Sequence, residues 1–137
     1  MILLDTQILI WLAEGDTRLR KAAREAIEQV GASSRILVSA ASFWETGLLL
    51  SKGRITLSSP LATWASAIAS QAKMKVVPVD ADIAVEAGML PGDLHGDPGD
   101  RFLVATARVL NVPLLTTDRK ILAYAESGRV DAVDARR

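Results

Sequence analysis

Four carboxylates stand where strands and helices of a folded chain could gather them into one site. Asp5 follows the apolar run Ile2–Leu4, and Asp118 follows a later apolar stretch, PLLTT. Asp100 opens a helical segment behind a loop rich in Gly and Pro, and Glu45 lies in the helical segment after the second apolar run. In open parallel sheets, ligands bind beyond the carboxyl ends of the strands. We therefore expect these four side chains to converge at one edge of a sheet.

Such a cluster has a definite chemistry. Two carboxylates about 4 Å apart repel by roughly 4 kcal/mol at an effective dielectric constant near 20. Three or four of them cannot all stay ionised together unless a cation is bound or protons are taken up. No Lys or Arg stands in the apolar runs that carry Asp5 and Glu45. Ligation by oxygen alone selects Mg²⁺ or Mn²⁺ and leaves positions for water and phosphate, which is the equipment of metal-dependent phosphodiester hydrolysis.

A simpler interpretation applies to three of the acids. Asp5, Asp100 and Asp118 each stand where a helix is predicted to begin, and Asp is a favoured N-cap. Capping does not account for Glu45, which is the only charged residue in 40–51. An unpaired carboxylate among apolar neighbours is costly, so we expect Glu45 to face a polar site or a cation. The alternative is an exposed Glu45 on a narrow polar stripe shared with Thr46.

The elements that must position these acids alternate between strands and helices. Apolar runs predict strands at 2–4, 36–38, 75–79 and 113–115, with an edge strand at 130–133. Helical spacing of apolar residues predicts a first helix after Thr6. Amphipathic or capped segments predict further helices at 18–30, from 40 to about 53, and at 60–73, 82–90, 100–110 and 119–125. Strands that are apolar throughout belong to parallel sheets covered on both faces. The prediction is one α/β domain over residues 1–137.

Composition removes several classes of function. The chain has 137 residues, 16 basic and 16 acidic side chains, no cysteine and one histidine, His95. Its length fits about one domain. Without cysteine there are no disulfide frameworks, cysteine zinc sites or thiol catalysis, and one histidine excludes multi-histidine zinc sites. Zero net charge argues against a polybasic nucleic-acid binder but not against an acidic nuclease site. No apolar run approaches the roughly 18 residues of a membrane helix and no signal peptide is evident, so we expect a cytoplasmic protein.

Four stretches carry a family resemblance in this order: LDTQILIWL, SAASFWETGLLLSKGRI, HGDPGDRFLVATA and PLLTTDRKI. Together they resemble the PIN-domain nucleases, and among these the VapC-like toxins of bacterial toxin–antitoxin pairs, over essentially the whole chain. The resemblance implies a three-layer α/β/α fold with a mainly parallel central sheet. It implies that the metal-binding acids are Asp5, Glu45, Asp100 and Asp118. It also implies supporting hydroxyls at Thr6 and Thr117, with Asp97 as a reserve acid.

The same resemblance implies a function and partners. It implies an endoribonuclease that uses Mg²⁺ or Mn²⁺, cuts RNA to leave a 3′-hydroxyl and a 5′-phosphate, and acts as a toxin. A VapB-like antitoxin would inhibit it by placing a basic side chain against the four acids. A homodimer is expected, because relatives commonly pair and because Trp44 and Trp64 lie on apolar helices. Two positions depart from the family pattern: Gln7 replaces a common histidine, and Gly99, where relatives are often bulkier, is expected to loosen the loop before Asp100.

Three other interpretations fit the sequence less well. A phosphoacceptor receiver domain needs an acidic pair after its first strand and a late lysine, whereas this chain has Asp5 alone and a late Thr-Thr-Asp. An Asp-nucleophile phosphatase needs two aspartates flanking one residue, and here the sequence is Asp5-Thr6-Gln7. A PIN fold kept only for binding is the third, and the presence of all four acids argues against it.

Several other side chains admit two interpretations each. His95 could contact a phosphate or shuttle a proton, or be a solvated loop residue. The tryptophans could pack in the core or at an interface, or stack on bases; they are Trp11, Trp44 and Trp64. Basic residues near the acid-bearing segments could contact phosphates or simply be solvated: Lys52, Arg54, Arg101, Arg108, Arg119 and Lys120.

Overall fold

The computed structural model describes residues 1–94 and 96–137, so that His95, with its proposed roles, lies outside the described residues. The described part contains five strands and seven helices. In chain order they are β1 (Ile2–Leu4), α1 (Thr6–Glu14), α2 (Lys21–Ser33), β2 (Ile36–Ser39), α3 (Ala40–Ser51), α4 (Leu61–Ala69), β3 (Met74–Val77), α5 (Ala81–Gly88), α6 (Pro98–Leu110), β4 (Leu114–Thr116), α7 (Arg119–Glu126) and β5 (Ala132–Asp134).

The sheet is parallel throughout and has the strand order β3-β2-β1-β4-β5. Strand β1 occupies the centre, where Leu3 is aligned with Leu37 of β2 on one side and with Leu114 of β4 on the other. All carboxyl ends therefore meet at one edge, and the ends of β1 and β4 are neighbours there. The predicted parallel α/β architecture is confirmed, including β5 as an edge strand.

Two apolar clusters cover the two faces of the sheet. Ile2 and Leu4 of β1 pack into the cluster with residues of α1, α2 and α4, whereas Leu3 packs into the cluster with residues of α5, α6 and α7. Successive side chains of a strand point to opposite faces, which is why one short strand contributes to both clusters. Trp64 is 4% exposed and belongs to the first cluster. It is a core residue and offers no surface to a partner, contrary to the reasoning behind the expected homodimer.

Several helix boundaries differ from the predicted ones for identifiable reasons. Helix α2 continues through Gly31 to Ser33, three residues beyond the end of the helix predicted at 18–30. A Cβ at Gly31 would lie 3.1 Å from Cδ1 of Ile36, so this glycine permits close packing rather than stopping the helix. Helix α6 begins at Pro98 with Asp97 as its N-cap, two residues before the predicted start at Asp100. Proline at the first helical turn loses no hydrogen bond, because the N–H groups there are unpaired in any case.

Within the described ranges, none of the helices combines the length and the apolar character that are needed to span a membrane.

Candidate metal-dependent active site

Asp5 is fixed at the end of β1 through both of its carboxylate oxygens. Its Oδ1 accepts a hydrogen bond from the backbone N–H of Thr6 at 2.7 Å, and its Oδ2 accepts one from the hydroxyl of Thr116 at 2.5 Å. The residue is 7% exposed. Burial foremost, with smaller contributions from the charges of Asp118 and Asp97, raises the pKa of Asp5 to about 6, although these two hydrogen bonds oppose the rise. Asp5 is the N-cap of α1 and also a member of an acidic group, so the two interpretations of this residue are compatible.

Glu45 is oriented by a hydroxyl on the neighbouring helix. Its Oε1 accepts a hydrogen bond from Thr6 Oγ1 at 2.7 Å, and Thr6 Oγ1 also lies 2.8 Å from Ser42 Oγ. Burial raises the pKa of Glu45 to about 7, and the hydrogen bond from Thr6 opposes this rise. Thr46 is fully buried and donates to the carbonyl of Ser42. The alternative of an exposed polar stripe shared by Glu45 and Thr46 is therefore wrong.

Gly99 makes room for the carboxyl group of Glu45. A Cβ at this position would lie 2.1 Å from Cδ of Glu45 and 2.3 Å from its Oε2. Atoms cannot approach so closely, so any side chain at position 99 would displace Glu45 from its place. The expectation that Gly99 loosens the loop is wrong, because it instead lets α6 and the carboxyl of Glu45 approach each other.

Asp97 and Asp100 bring two more carboxylates to Glu45 at the start of α6. One carboxylate oxygen from each of Glu45, Asp97 and Asp100 lies within 4.8 Å of the others. Asp97 Oδ1 also accepts a hydrogen bond from the N–H of Asp100 at 2.9 Å. Burial raises the pKa of Asp100 to about 7, and the neighbouring carboxylates, Asp97 foremost, raise it as well. The sequence held a signal for the position of Asp97, since an aspartate directly before proline is typical of a helix N-terminus.

Asp118 completes the group as the N-cap of α7. Its Oδ1 accepts hydrogen bonds from the N–H groups of Lys120 at 2.8 Å and Ile121 at 3.0 Å. The N–H of Asp118 donates to Thr116 Oγ1 at 2.9 Å. The hydroxyl of Thr116 thus connects Asp118 to Asp5. Thr117 was predicted to supply this hydroxyl, but the structure has Thr116 in that place, on the last residue of β4.

These five carboxylates are not neutralised by cations of the chain. In the described ranges, no Lys or Arg side chain forms an ion pair with any of them. Arg101 follows Asp100 directly, but its guanidinium donates to the carbonyls of Ala87 at 2.9 Å and Leu94 at 3.2 Å. Arg108 pairs instead with Glu86 at 2.6 Å. The sequence left phosphate contact and solvation open for Arg101 and Arg108, and in this structure both side chains contact other parts of the chain instead.

The donor set fits a hard divalent cation. It consists of carboxylate oxygens, three of which are close enough together to share one ion, and its charge repulsion would be relieved by that ion. The raised pKa values of Asp5, Glu45 and Asp100 record the same repulsion and burial in the metal-free protein. Such a group of carboxylates can bind an ion that in turn holds a water molecule and a phosphodiester.

Comparison with known proteins identifies the family. The PIN domain profile matches residues 2–127. The chain belongs to the PIN-domain family. This PIN domain is 32% identical over 123 residues to Ribonuclease VapC22 of Mycobacterium tuberculosis (strain ATCC 25618 / H37Rv), with 90% of this chain and 91% of that protein covered. The resemblance noted from the four sequence stretches is confirmed.

Solved structures show the same fold at lower identity. VapBC2 from Rickettsia felis, bound to a DNA fragment from its promoter, matches with a TM-score of 0.69 and 15% identity over 98% of each chain. VapBC-1 from nontypeable Haemophilus influenzae matches with a TM-score of 0.69 and 17% identity over 100% of each chain. The predicted PIN fold is therefore confirmed.

Proposed function

We propose that this PIN-domain protein is a metal-dependent endoribonuclease and the toxin of a toxin–antitoxin pair. The observation that carries the proposal is the group of five carboxylates at the carboxyl edge of the sheet, without cations of the chain to neutralise them. Its similarity to a protein named Ribonuclease VapC22 supports RNA as the substrate. The similarity in fold to VapBC complexes supports an antitoxin as the partner.

The residues proposed to hold the ion are Asp5, Glu45, Asp100 and Asp118, and the geometry adds Asp97 to them. Mg²⁺ or Mn²⁺ held by these carboxylates would lower the pKa of a bound water and neutralise charge on the scissile phosphate. Attack by the water oxygen on phosphorus would break the bond to the 3′-oxygen, which would take a proton from solvent, and so leave a 3′-hydroxyl and a 5′-phosphate. A carboxylate of the group accepts the proton that the water loses.

The supporting hydroxyls hold the carboxylates in place before substrate arrives. Thr116 fixes Asp5, and Thr6 orients Glu45, so neither side chain needs to reorganise when an ion binds. Both oxygens of Asp5 already accept hydrogen bonds, which does not favour a phosphoacceptor role for this residue. Hydrolysis at a prearranged metal site is the function that these contacts support best.

The antitoxin is proposed to inhibit the enzyme electrostatically. A guanidinium pairs bidentately with carboxylates, and an arginine placed against the acidic group would occupy the positions of the ion. The homodimer and the cytoplasmic location remain proposals. With Trp64 buried, the homodimer is proposed from the exposed apolar side chains of Val85 on α5 and Met89 at its C-cap, at 66% and 77% exposure.

Glu45 offers a direct test of the proposed activity. Purified protein is assayed on end-labelled RNA with Mg²⁺, with Mn²⁺ and with EDTA, beside Glu45→Gln and the control Glu28→Gln, which alters an exposed glutamate on α2. We expect cleavage by the wild type and the control in either metal, none in EDTA, and none by Glu45→Gln. Equal cleavage by wild type and Glu45→Gln at saturating Mn²⁺ would contradict the proposed role of Glu45. Cleavage that persists in EDTA would contradict a metal-dependent mechanism.

A further inference from the structure

An apolar cavity of about 360 Å³ lies directly beside the acidic group. Trp44 and Leu48 on α3 line it, and Glu45 and Asp97 of the acidic group line it as well. We call this cavity the α3 pocket. Its volume is within the range of about 300–1,000 Å³ that is usual for pockets that bind small molecules or single groups of larger ligands. Whatever enters the α3 pocket therefore lies next to the proposed metal ion.

One aromatic side chain that lines the α3 pocket is half-exposed. Trp44 is 49% exposed and Leu48 is 39% exposed, whereas Trp64, on the next helix, is 4% exposed. A half-exposed tryptophan beside catalytic acids presents a flat apolar surface at the place where a substrate must lie. Stacking on such surfaces is how proteins hold the bases of single-stranded nucleic acids.

Two cations complete the lining of the α3 pocket. Lys52 and Arg54 line it, and within the part of the chain that the structure describes neither has a carboxylate within 4.0 Å. Lys52 follows Glu45 by seven residues, which along a helix is about 10 Å. The pocket thus offers an aromatic face and two unpaired cations, with metal-binding acids at one side. A complementary ligand carries a flat apolar ring and several anionic groups, one of which reaches the metal.

We propose that the α3 pocket receives one unstacked base of a single-stranded RNA next to the scissile phosphate. Trp44 stacks on the base, and Lys52 and Arg54 contact phosphates of the flanking nucleotides. The inference rests on the proposed nuclease function and narrows its substrate to single strands and loops, because bases inside a duplex cannot be splayed into a pocket. A peptide presents an anion only where it carries Asp or Glu, whereas every nucleotide of RNA brings a flat ring and a phosphate together, so charge complementarity to Lys52 and Arg54 favours RNA.

Binding measurements separate this inference from the cleavage reaction. Fluorescence anisotropy compares a labelled adenosine hexaribonucleotide with a hexamer of abasic ribose phosphates, in Ca²⁺ in place of Mg²⁺. Base stacking changes affinity by about 5- to 150-fold per base. We expect the wild type to prefer the adenosine hexamer by a factor in this range. We expect the preference to fall to about one in Trp44→Leu and to survive in part in Trp44→Phe, which keeps an aromatic face.

The cations require a different readout. In Lys52→Gln and Arg54→Gln we expect both hexamers to bind more weakly by the same factor. Each variant should also reduce the slope of log affinity against log salt by about 0.7. Arg20→Gln, an exposed change at the N-cap of α2 that does not line the α3 pocket, serves as the control and should leave both quantities unchanged.

Two results would overturn the inference. One is a wild-type protein that binds the adenosine and abasic hexamers equally, as expected if the pocket serves a protein partner instead. The other is a Trp44→Leu variant that loses affinity for both hexamers by the same factor. Because these measurements involve no turnover, they are independent of the cleavage assay, in which a failure would count against the nuclease function itself.

Discussion

Replacing Asp5 by asparagine should stabilise the metal-free protein, and the structure indicates by how much. Burial raises the pKa of Asp5 from 3.8 to about 6. Between pH 3.8 and about pH 6, the folded protein therefore keeps a proton on Asp5 that the unfolded chain has already released. Stability therefore falls as the pH rises from about 4 to above 6, and the loss is complete above the folded pKa. The difference corresponds to about 3 kcal/mol of unfolding free energy at pH 8.

Asparagine keeps the size of the side chain and carries no charge. Its amide oxygen can still accept from the N–H of Thr6, but the hydrogen bond that Thr116 donates to Oδ2 is lost. A lost hydrogen bond costs about 1 kcal/mol. The expected net gain is about 2 kcal/mol at pH 8, or about 6–10 °C in Tm. At pH 4.5 the charge contribution falls to about 1 kcal/mol, and the net gain should be near zero.

The assay is urea and thermal unfolding in EDTA at pH 4.5 and pH 8, with Asp82→Asn as an exposed control on α5. When the same measurements are made with Mg²⁺, the ion should stabilise the wild type more than Asp5→Asn, because the variant lacks one ligand charge. Cleavage of RNA by Asp5→Asn should be abolished. A stability gain of equal size at both pH values, or none at pH 8, would refute the reasoning about the buried charge. Unchanged cleavage would refute the catalytic role.

Three further predictions concern other parts of the molecule. Gly99→Ala should reduce metal affinity and cleavage by about 10- to 100-fold by displacing Glu45, as metal titrations and cleavage assays can measure. The control Gly88→Ala should leave both unchanged, because an added Cβ there meets nothing within 4 Å. In a complex with the cognate antitoxin, replacing its inhibitory arginine by alanine should restore cleavage more than it weakens binding; an antitoxin that inhibits without a basic residue near the acids would contradict this. Light scattering at tens of micromolar should give twice the chain mass of 14.7 kDa, and a monomer mass would count against the homodimer.

The strands and the gathering of the acids were accessible from sequence because both depend on local patterns. Runs such as Ile2–Leu4 are apolar throughout, and a parallel sheet is the structure that buries both faces of such strands. Once the sheet is parallel, residues that follow strands must meet at one edge. Asp5 and Asp118 are placed there by this rule alone, although their proposed catalytic roles remain predictions.

The features that sequence reasoning did not find depend on contacts between distant segments. Gly99 is explained by the carboxyl of Glu45, which belongs to a different helix. The choice between Thr116 and Thr117 depends on which of two adjacent residues ends β4 facing Asp5, and a shift of one residue along a strand reverses the face. Trp64 lies in the core because α4 packs against the sheet. The apolar composition of α4 alone does not show whether its apolar face is buried or exposed.

The central position of β1 has a consequence for the stage of synthesis at which the acidic group can be complete. The hydrogen bond between Thr116 and Asp5 spans 111 residues, and β2 precedes β4 in the chain, so β1 can pair with β2 before β4 has been synthesised. A nascent chain that has produced β1, β2 and β3 holds Asp5 and Glu45 but lacks the remaining acids. We therefore expect the proposed nuclease activity to require the late-synthesised segment that carries β4 and Asp118, and chains truncated before β4 to lack this activity.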